Sequence, residues 1–160
     1  MKCNSSIMKT NRISLFILFF TIPFISQGQD NGLGIRVMNL PDVAGVGVSM
    51  KHMIHGRMSY EVTVGSDVNI NSAFIKADFN LVQRPVGIQG LDWYSGLGAQ
   101  TWFTESSFDI APEWTLGLDW DIVSLPLSFF LDGSLYIPLV NHDLISPEWQ
   151  IGAGVRVLFK

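Results

Sequence analysis

A chain of 160 residues with 10 Lys and Arg against 14 Asp and Glu has the length of one domain, and its formal net charge of −4 makes nucleic acid a poor partner. Its mean hydropathy of +0.29 is high for a secreted soluble domain, yet beyond Ile25 no apolar run approaches the roughly 18 residues that a spanning helix requires. Apolar content without a continuous run is spread by alternation, which is how a membrane β-barrel carries it.

The N-terminal stretch stands apart. Lys2, Lys9 and Arg12 precede the apolar run Ile13 to Ile25, and Ser26-Gln27-Gly28 follows with small residues, which predicts a cleaved secretory signal peptide over residues 1–28 and a mature domain over 29–160. Met8 begins an equally good signal. Cys3 is the only cysteine and lies ahead of the apolar run, where it cannot serve as a lipid anchor at the cleavage point. A mature chain without it has no disulfide, thiolate metal site or cysteine nucleophile. Removal of the three leading bases leaves seven against fourteen acids, a net charge near −7.

Eight segments then alternate with the period of a strand. Leu33 to Met38 sets Leu33, Ile35 and Val37 against Gly34 and Arg36, and Asn39-Leu40-Pro41-Asp42 reads as a turn. Gly45 to Met53 sets Val46, Val48 and Met50 against Gly47, Ser49 and Lys51, and His55-Gly56 suits a tight hairpin. Met58 to Gly65 sets Tyr60, Val62 and Val64 against Ser59, Glu61 and Thr63. Asn71 to Val82 carries Ile75, Ala77 and Phe79 opposite Lys76, Asp78 and Asn80. Leu91 to Thr104 puts Trp93, Leu97 and Phe103 opposite Tyr94, Gly96, Gly98, Gln100 and Trp102. Ile110 to Asp121 separates Trp114, Leu116, Leu118 and Trp120 from Glu113, Thr115, Gly117 and Asp119. Leu127 to Pro138 separates Phe129, Leu131 and Leu135 from Ser128, Phe130, Asp132, Ser134 and Tyr136. The closing segment, Glu148 to Phe159, has Trp149, Ile151, Ala153, Val155, Val157 and Phe159 on one side and Gln150, Gly152, Gly154 and Arg156 on the other. An even strand count returns both ends of the chain to one side of a barrel.

The face opposite the aliphatic one collects both the charges and the glycines. Arg36, Lys51, Glu61, Lys76, Asp78, Glu113, Asp119, Asp132 and Arg156 all fall there, together with Gly34, Gly47, Gly65, Gly96, Gly98, Gly117, Gly152 and Gly154. Glycine weakens an exposed strand and packs nothing, so this face reads as the crowded interior of a narrow barrel, with room made for Trp102, Phe130 and Tyr136. Trp93 and Phe103, ten residues apart on the other face, span roughly 25 Å along a membrane normal at a ~40° tilt, the height of an apolar band between aromatic girdles. The expected fold is therefore all-β: an eight-stranded antiparallel up-and-down transmembrane β-barrel.

The segments VGVSMKHMIHGRMSYEV, LDWYSGLGAQ, DIAPEWTLGLDWDIVSLPLSFFLDGSLYIP and the terminal GAGVRVLF together resemble small outer-membrane β-barrel proteins of Bacteroidota, over most of the mature chain. The resemblance implies outer-membrane lipid as the surroundings. The last residues, with Gly154, Val157 and Phe159, also look like the recognition signal of the barrel-assembly machinery, although Gly152 replaces a usual polar residue and Lys160 follows the aromatic. Lipid A acyltransferases and deacylases are built on such scaffolds, and the deacylases place His and Ser two apart on one strand. His52-Met53-Ile54, His55-Gly56-Arg57 and His142-Asp143-Leu144 all depart from that pattern, and His142, Asp143 and Ser146 have the right types only on a connection.

Nine charges inside a narrow barrel must pair or destabilise it, so a structural network is the economical expectation, with Lys51 and Glu61, across the turn at Gly56, as the leading pair. No catalytic residue, metal ligand or cofactor is expected: His52, His55 and His142 show no ligand spacing. The reading is a non-enzymatic, monomeric outer-membrane barrel with a filled interior and no wide pore, reached by export and inserted by the assembly machinery. Its alternatives are a lipid A-modifying enzyme and a soluble lipocalin-like binder with the aliphatic face inward.

Overall fold

The computed structural model describes residues 31–39, 43–55, 57–105, 107–122, 124–140 and 146–159. The expected signal peptide, Cys3, the Gly56 turn position, His142 with Asp143, and Lys160 lie outside the described residues.

Eight strands follow one another: β1 (Asn31–Asn39), β2 (Ala44–His55), β3 (Met58–Asp67), β4 (Ser72–Pro85), β5 (Leu91–Thr104), β6 (Phe108–Ile122), β7 (Leu127–Tyr136) and β8 (Glu148–Phe159). Each pairs antiparallel with the next, and β8 pairs with β1, from Asn31 opposite Phe159 to Met38 opposite Gly152. The result is a closed up-and-down barrel, without helices among the described residues. Closure leaves no strand edge with unpaired backbone groups. Asn31 and Phe159 share one rim, the proximal end, with the β2–β3, β4–β5 and β6–β7 connections, while the other four connections lie at the distal end.

The alternation decides which way each side chain points. Exposure changes with every residue along most of β1, β2, β4, β6 and β7, and the aliphatic side chains, with Trp114, Trp120 and Trp149, are the ones turned outward. Ile35, Leu97, Ile151 and Trp149 are 56%, 57%, 62% and 70% exposed, whereas every buried charge points into the barrel. The lipocalin-like alternative, which needs the aliphatic face inward, is overturned by this orientation.

Six of the eight strands differ from the sequence expectation at one or both limits, by one to three residues, and two of these differences have local reasons. β4 continues past Val82 to Pro85 because the register shifts between Asn80 and Val82, and this bulge turns Gln83 back to the side of Tyr94. β7 stops at Tyr136 rather than Pro138, although the Ile137 and Leu139 amides still donate to the Pro112 and Ile110 carbonyls of β6. The β4–β5 connection turns on Gly87 and Gly90, at φ +93° and +77°, where a side chain would be strained.

Candidate functional site

The lumen is where the chemistry of this chain collects. Each inner position is set by strand parity: Arg36 on β1, Lys51 on β2, Glu61 on β3, Lys76 and Asp78 on β4, Glu113 and Asp119 on β6, Asp132 on β7 and Arg156 on β8. All nine are 7% exposed or less. Burying ions is costly unless each finds a partner and its remaining protons and lone pairs are bonded.

Most of these groups join one continuous lattice across the barrel. Arg36 donates to both oxygens of Asp132 and, through Nη1, to Glu61 Oε1 at 2.8 Å. Glu61 accepts from Arg156 Nη2 at 2.6 Å and from Ser49 Oγ at 2.6 Å. Arg156 Nη1 reaches Asp119 at 3.0 Å, and Lys51 Nζ reaches the same Asp119 oxygen at 2.5 Å. Ser128 donates to the other Asp119 oxygen, and Tyr94 Oη donates to Asp132 at 2.8 Å. The Phe130 ring lies between the two guanidiniums, 3.7 Å from that of Arg156 and 5.1 Å from that of Arg36, and its π face adds a favourable contact to both cations. A smaller cluster sits toward the distal end: Lys76 bonds Glu113, lies 3.3 Å from Asp78 and donates to Ser134 Oγ at 3.0 Å, while Thr115 donates to Asp78 at 3.1 Å.

The expected Lys51–Glu61 pair is not the one that forms. The two residues are register partners, as supposed, but Lys51 extends across the lumen to Asp119 and Glu61 turns to the two arginines. Neighbouring inner side chains leave the wall side by side, and a long lysine reaches the opposite wall. Two forked guanidiniums also satisfy more lone pairs of a buried carboxylate than one ammonium does.

The glycines make the room that these side chains occupy. A Cβ on Gly154 would lie 2.4 Å from Phe130 Cζ, one on Gly117 2.5 Å from Tyr94 Cζ, and one on Gly65 2.6 Å from Phe74 Cζ. Room is thus made for Phe130 as expected, and for Tyr94 and Phe74. Trp102 and Tyr136 instead pack on each other, with centroids 5.2 Å apart. Tyr94, Gln83, Ser49 and Ser128 complete the lattice and were not singled out beforehand. Parity already placed three of them inside, whereas Gln83 needed the bulge.

The distal lumen is different in kind. Met38 and Phe74 are packed together with Val43 and Trp102 against them. Around this cluster several buried polar atoms have no hydrogen-bond partner among the described residues, including both amide atoms of Gln100, Trp102 Nε1, Gln150 Nε2 and Glu113 Oε1.

His52 lies on β2 with Nδ1 2.5 Å from Asn31 Oδ1 and its ring 5.0 Å from that of Tyr60. Among the described residues no His, Cys, Asp and Glu group of three or more is arranged to hold a metal. Of the three expected assembly-signal residues, Gly154 faces the lumen against Phe130, Val157 faces outward, and Phe159 lies at the closing seam opposite Asn31.

No protein-family model matches the chain, and no curated protein sequence is similar to it. Solved structures do share its fold. The de novo designed TMB2.3 is 12% identical, with a TM-score of 0.57 over 85% of this chain and 99% of that one. The N-terminal β-barrel domain of Pseudomonas aeruginosa OprF is 18% identical, with a TM-score of 0.52 over 82% and 96%. The Yersinia pestis outer membrane protein Ail, determined in a phospholipid bilayer nanodisc, is 14% identical, with a TM-score of 0.42 over 81% and 99%.

Proposed function

We propose that this chain is an integral outer-membrane β-barrel whose task is structural or surface-presenting rather than catalytic, in the manner of the small Bacteroidota barrels its segments resemble. The observation that carries the reading is the direction of its faces: a belt of aliphatic and aromatic side chains looks out, and the ionised groups are bound to one another within. A patch of that extent on a water-soluble monomer would be an aggregation site, while in lipid it is the ordinary exterior.

The few polar groups on the outer wall support the same surroundings. Trp114 Nε1 donates to Ser95 Oγ at 2.9 Å, and Thr101 Oγ1 lies 3.4 Å from the Ile75 carbonyl. Such internal satisfaction is what a wall without water requires. The wall also has aromatic side chains at two heights. Trp120 and Phe129 are register partners toward the proximal end, and Phe103 and Phe108 stack at 5.3 Å near the distal end. On this reading the proximal end, with Asn31 and Phe159, faces the periplasm after signal-dependent export and insertion by the assembly machinery.

Inside, Lys51 reaches the far wall, Arg36 bridges β3 and β7, each two strands away, and the Phe130, Tyr94 and Phe74 rings fill the space the glycines leave. An eight-stranded barrel is just wide enough for such filling, so the reading includes no wide pore and no substrate path. No specific observation favours the lipid A enzyme. The barrel acts as a monomer with lipid as its partner.

The protein purified from a Gram-negative host is expected in the outer-membrane fraction, with migration on a gel that changes on heating. In vesicles whose acyl chains carry bromine, the fluorescence of Trp114, Trp120 and Trp149 is expected to be quenched. Recovery as a soluble periplasmic monomer with unquenched tryptophans would sink the proposal.

A further inference from the structure

Six cations fall among the described residues, and the lumen takes four of them, Arg36, Lys51, Lys76 and Arg156. The other two, Arg57 and Arg84, are exposed, and neither has a hydrogen bond or ion pair among the described residues. Both lie at the proximal end. Arg57 closes the β2–β3 turn just before Met58, and Arg84 is the last residue but one of β4. The distal rim carries no cation among the described residues, only the acids Asp67, Glu105, Asp109 and Glu148.

Register fixes where Arg84 points. It stands opposite Trp93, which stands in turn opposite Leu118 of the exposed outer wall. Directly opposed residues of an antiparallel pair share a face, so Arg84 leaves the outer wall beside Trp93. The bulge after Asn80 puts it there: even-numbered residues of β4 up to Asn80 face the lumen, and the extra residue sends Arg84 out. The strand is held at this point. Beyond it the Val86 amide donates to the Leu91 carbonyl at 2.9 Å, and the Leu91 amide to the Ile88 carbonyl at 3.0 Å. The β3–β4 register, continued past Ser59 opposite Asn80, brings the Arg57 backbone within about 10 Å of Arg84. The acids of this rim belong to the other face, with Asp92 opposite the lumenal Asp119 and Asp121 opposite the lumenal Ser128.

We propose that Arg84 and Arg57 form a headgroup site for an anionic phospholipid of the leaflet at the proximal end, of the phosphatidylglycerol kind. The inference rests on the membrane reading above. The lipid phosphate accepts from Arg84 at the level of Trp93, and Arg57 meets the rest of the negative charge. A planar guanidinium matches two phosphate oxygens at once. A zwitterionic headgroup brings an ammonium with its phosphate, and no acid among the described residues stands on the outer face beside the arginines to receive it. Lipid with a net negative charge is therefore preferred at this rim, and the acidic distal rim has no such preference.

The test follows Trp93 in the full barrel with Trp114→Phe, Trp120→Phe and Trp149→Phe, which leaves the lumenal Trp102 as the other tryptophan. The barrel is placed in low-salt vesicles of phosphatidylcholine with a minor share of phosphatidylglycerol, and bromine is carried on the acyl chains of one lipid or the other at equal mole fraction. Phosphatidylglycerol is expected to quench Trp93 with an apparent affinity at least about threefold that of phosphatidylcholine. The preference is expected to disappear in Arg57→Gln/Arg84→Gln, which exchanges two exposed side chains and leaves the lumenal lattice untouched. Equal quenching by the two lipids, or a preference that persists in the glutamine variant, would overturn the proposal while the membrane reading stands. No quenching by either lipid would overturn both.

Discussion

The two halves of the lumen solve the same problem in opposite ways. In the central and proximal half, long cations from β1, β2 and β8 cross to carboxylates on β3, β6 and β7, and nearly every terminal atom is bonded. In the distal half, beyond the small Lys76 cluster, the space is taken by Met38, Phe74, Trp102 and Tyr136, and several buried polar atoms there, both of Gln100 included, have no partner among the described residues. The first arrangement is connected, so loss of one member strands others. The second is a set of independent packings, each removable at its own cost. Lumen filling and lumen cohesion are therefore separate properties, located in different layers of one barrel.

The largest effect is expected where the lattice is most connected. Arg36→Met strands Asp132, which then keeps only Tyr94, and removes one of the two arginines at Glu61. Breaking a buried pair in this way costs about 3–5 kcal/mol, readable as a lowered urea midpoint for unfolding from detergent or vesicles. The double variant Arg36→Met/Asp132→Leu removes both charges and is expected to recover a large part of that loss, since no buried charge is left without its partner. A single variant as stable as the parent would break the comparison, because the charged half would then be no more connected than the apolar one.

What the sequence made legible follows from this division. Strand parity is a local property with period two, so Val46-Gly47-Val48-Ser49 or Trp114-Thr115-Leu116-Gly117 declares its inner side without knowledge of any neighbour. Eight such segments were enough to anticipate the closed barrel. Partner choice was not legible in the same way. Lys51 and Glu61 are neighbours across a turn, but which carboxylate a lysine reaches depends on the width of the lumen and on what stands opposite, and Asp119 is 68 residues away in sequence. The bulge after Asn80 was hidden for a related reason: alternation locates it only once β5 supplies the register that it shifts.

An intermediate effect is expected at the seam between lattice and wall. Gly154→Ala places a Cβ 2.2 Å from the Ile35 carbonyl oxygen and 2.4 Å from Phe130 Cζ, so either the β8–β1 closure or the ring between the guanidiniums must move. Overpacking of this kind costs about 1–3 kcal/mol. Pairing it with Phe130→Leu sharpens the point. Recovery of stability in the double variant would assign the cost to the ring, and none would assign it to the backbone of β1, in either case by equilibrium unfolding against the two single variants.

The smallest effect is expected in the distal half, and its sign is informative. Gln100 is fully buried, and neither of its amide atoms has a partner among the described residues. Burying an unbonded amide is unfavourable, so Gln100→Leu, close in size and with nothing to satisfy, is expected to leave stability unchanged or raise it by about 1 kcal/mol. The same exchange at Gln83, which accepts from Lys51 and donates to Asp92, removes two bonds at the edge of the lattice and is expected to lower it by about 1 kcal/mol. Two glutamine-to-leucine changes on neighbouring strands of one barrel would thus move the unfolding midpoint in opposite directions. A loss at Gln100 as large as that at Gln83 would mean that the distal amide is as well bonded as the proximal one, and the two halves of the lumen would no longer differ in kind.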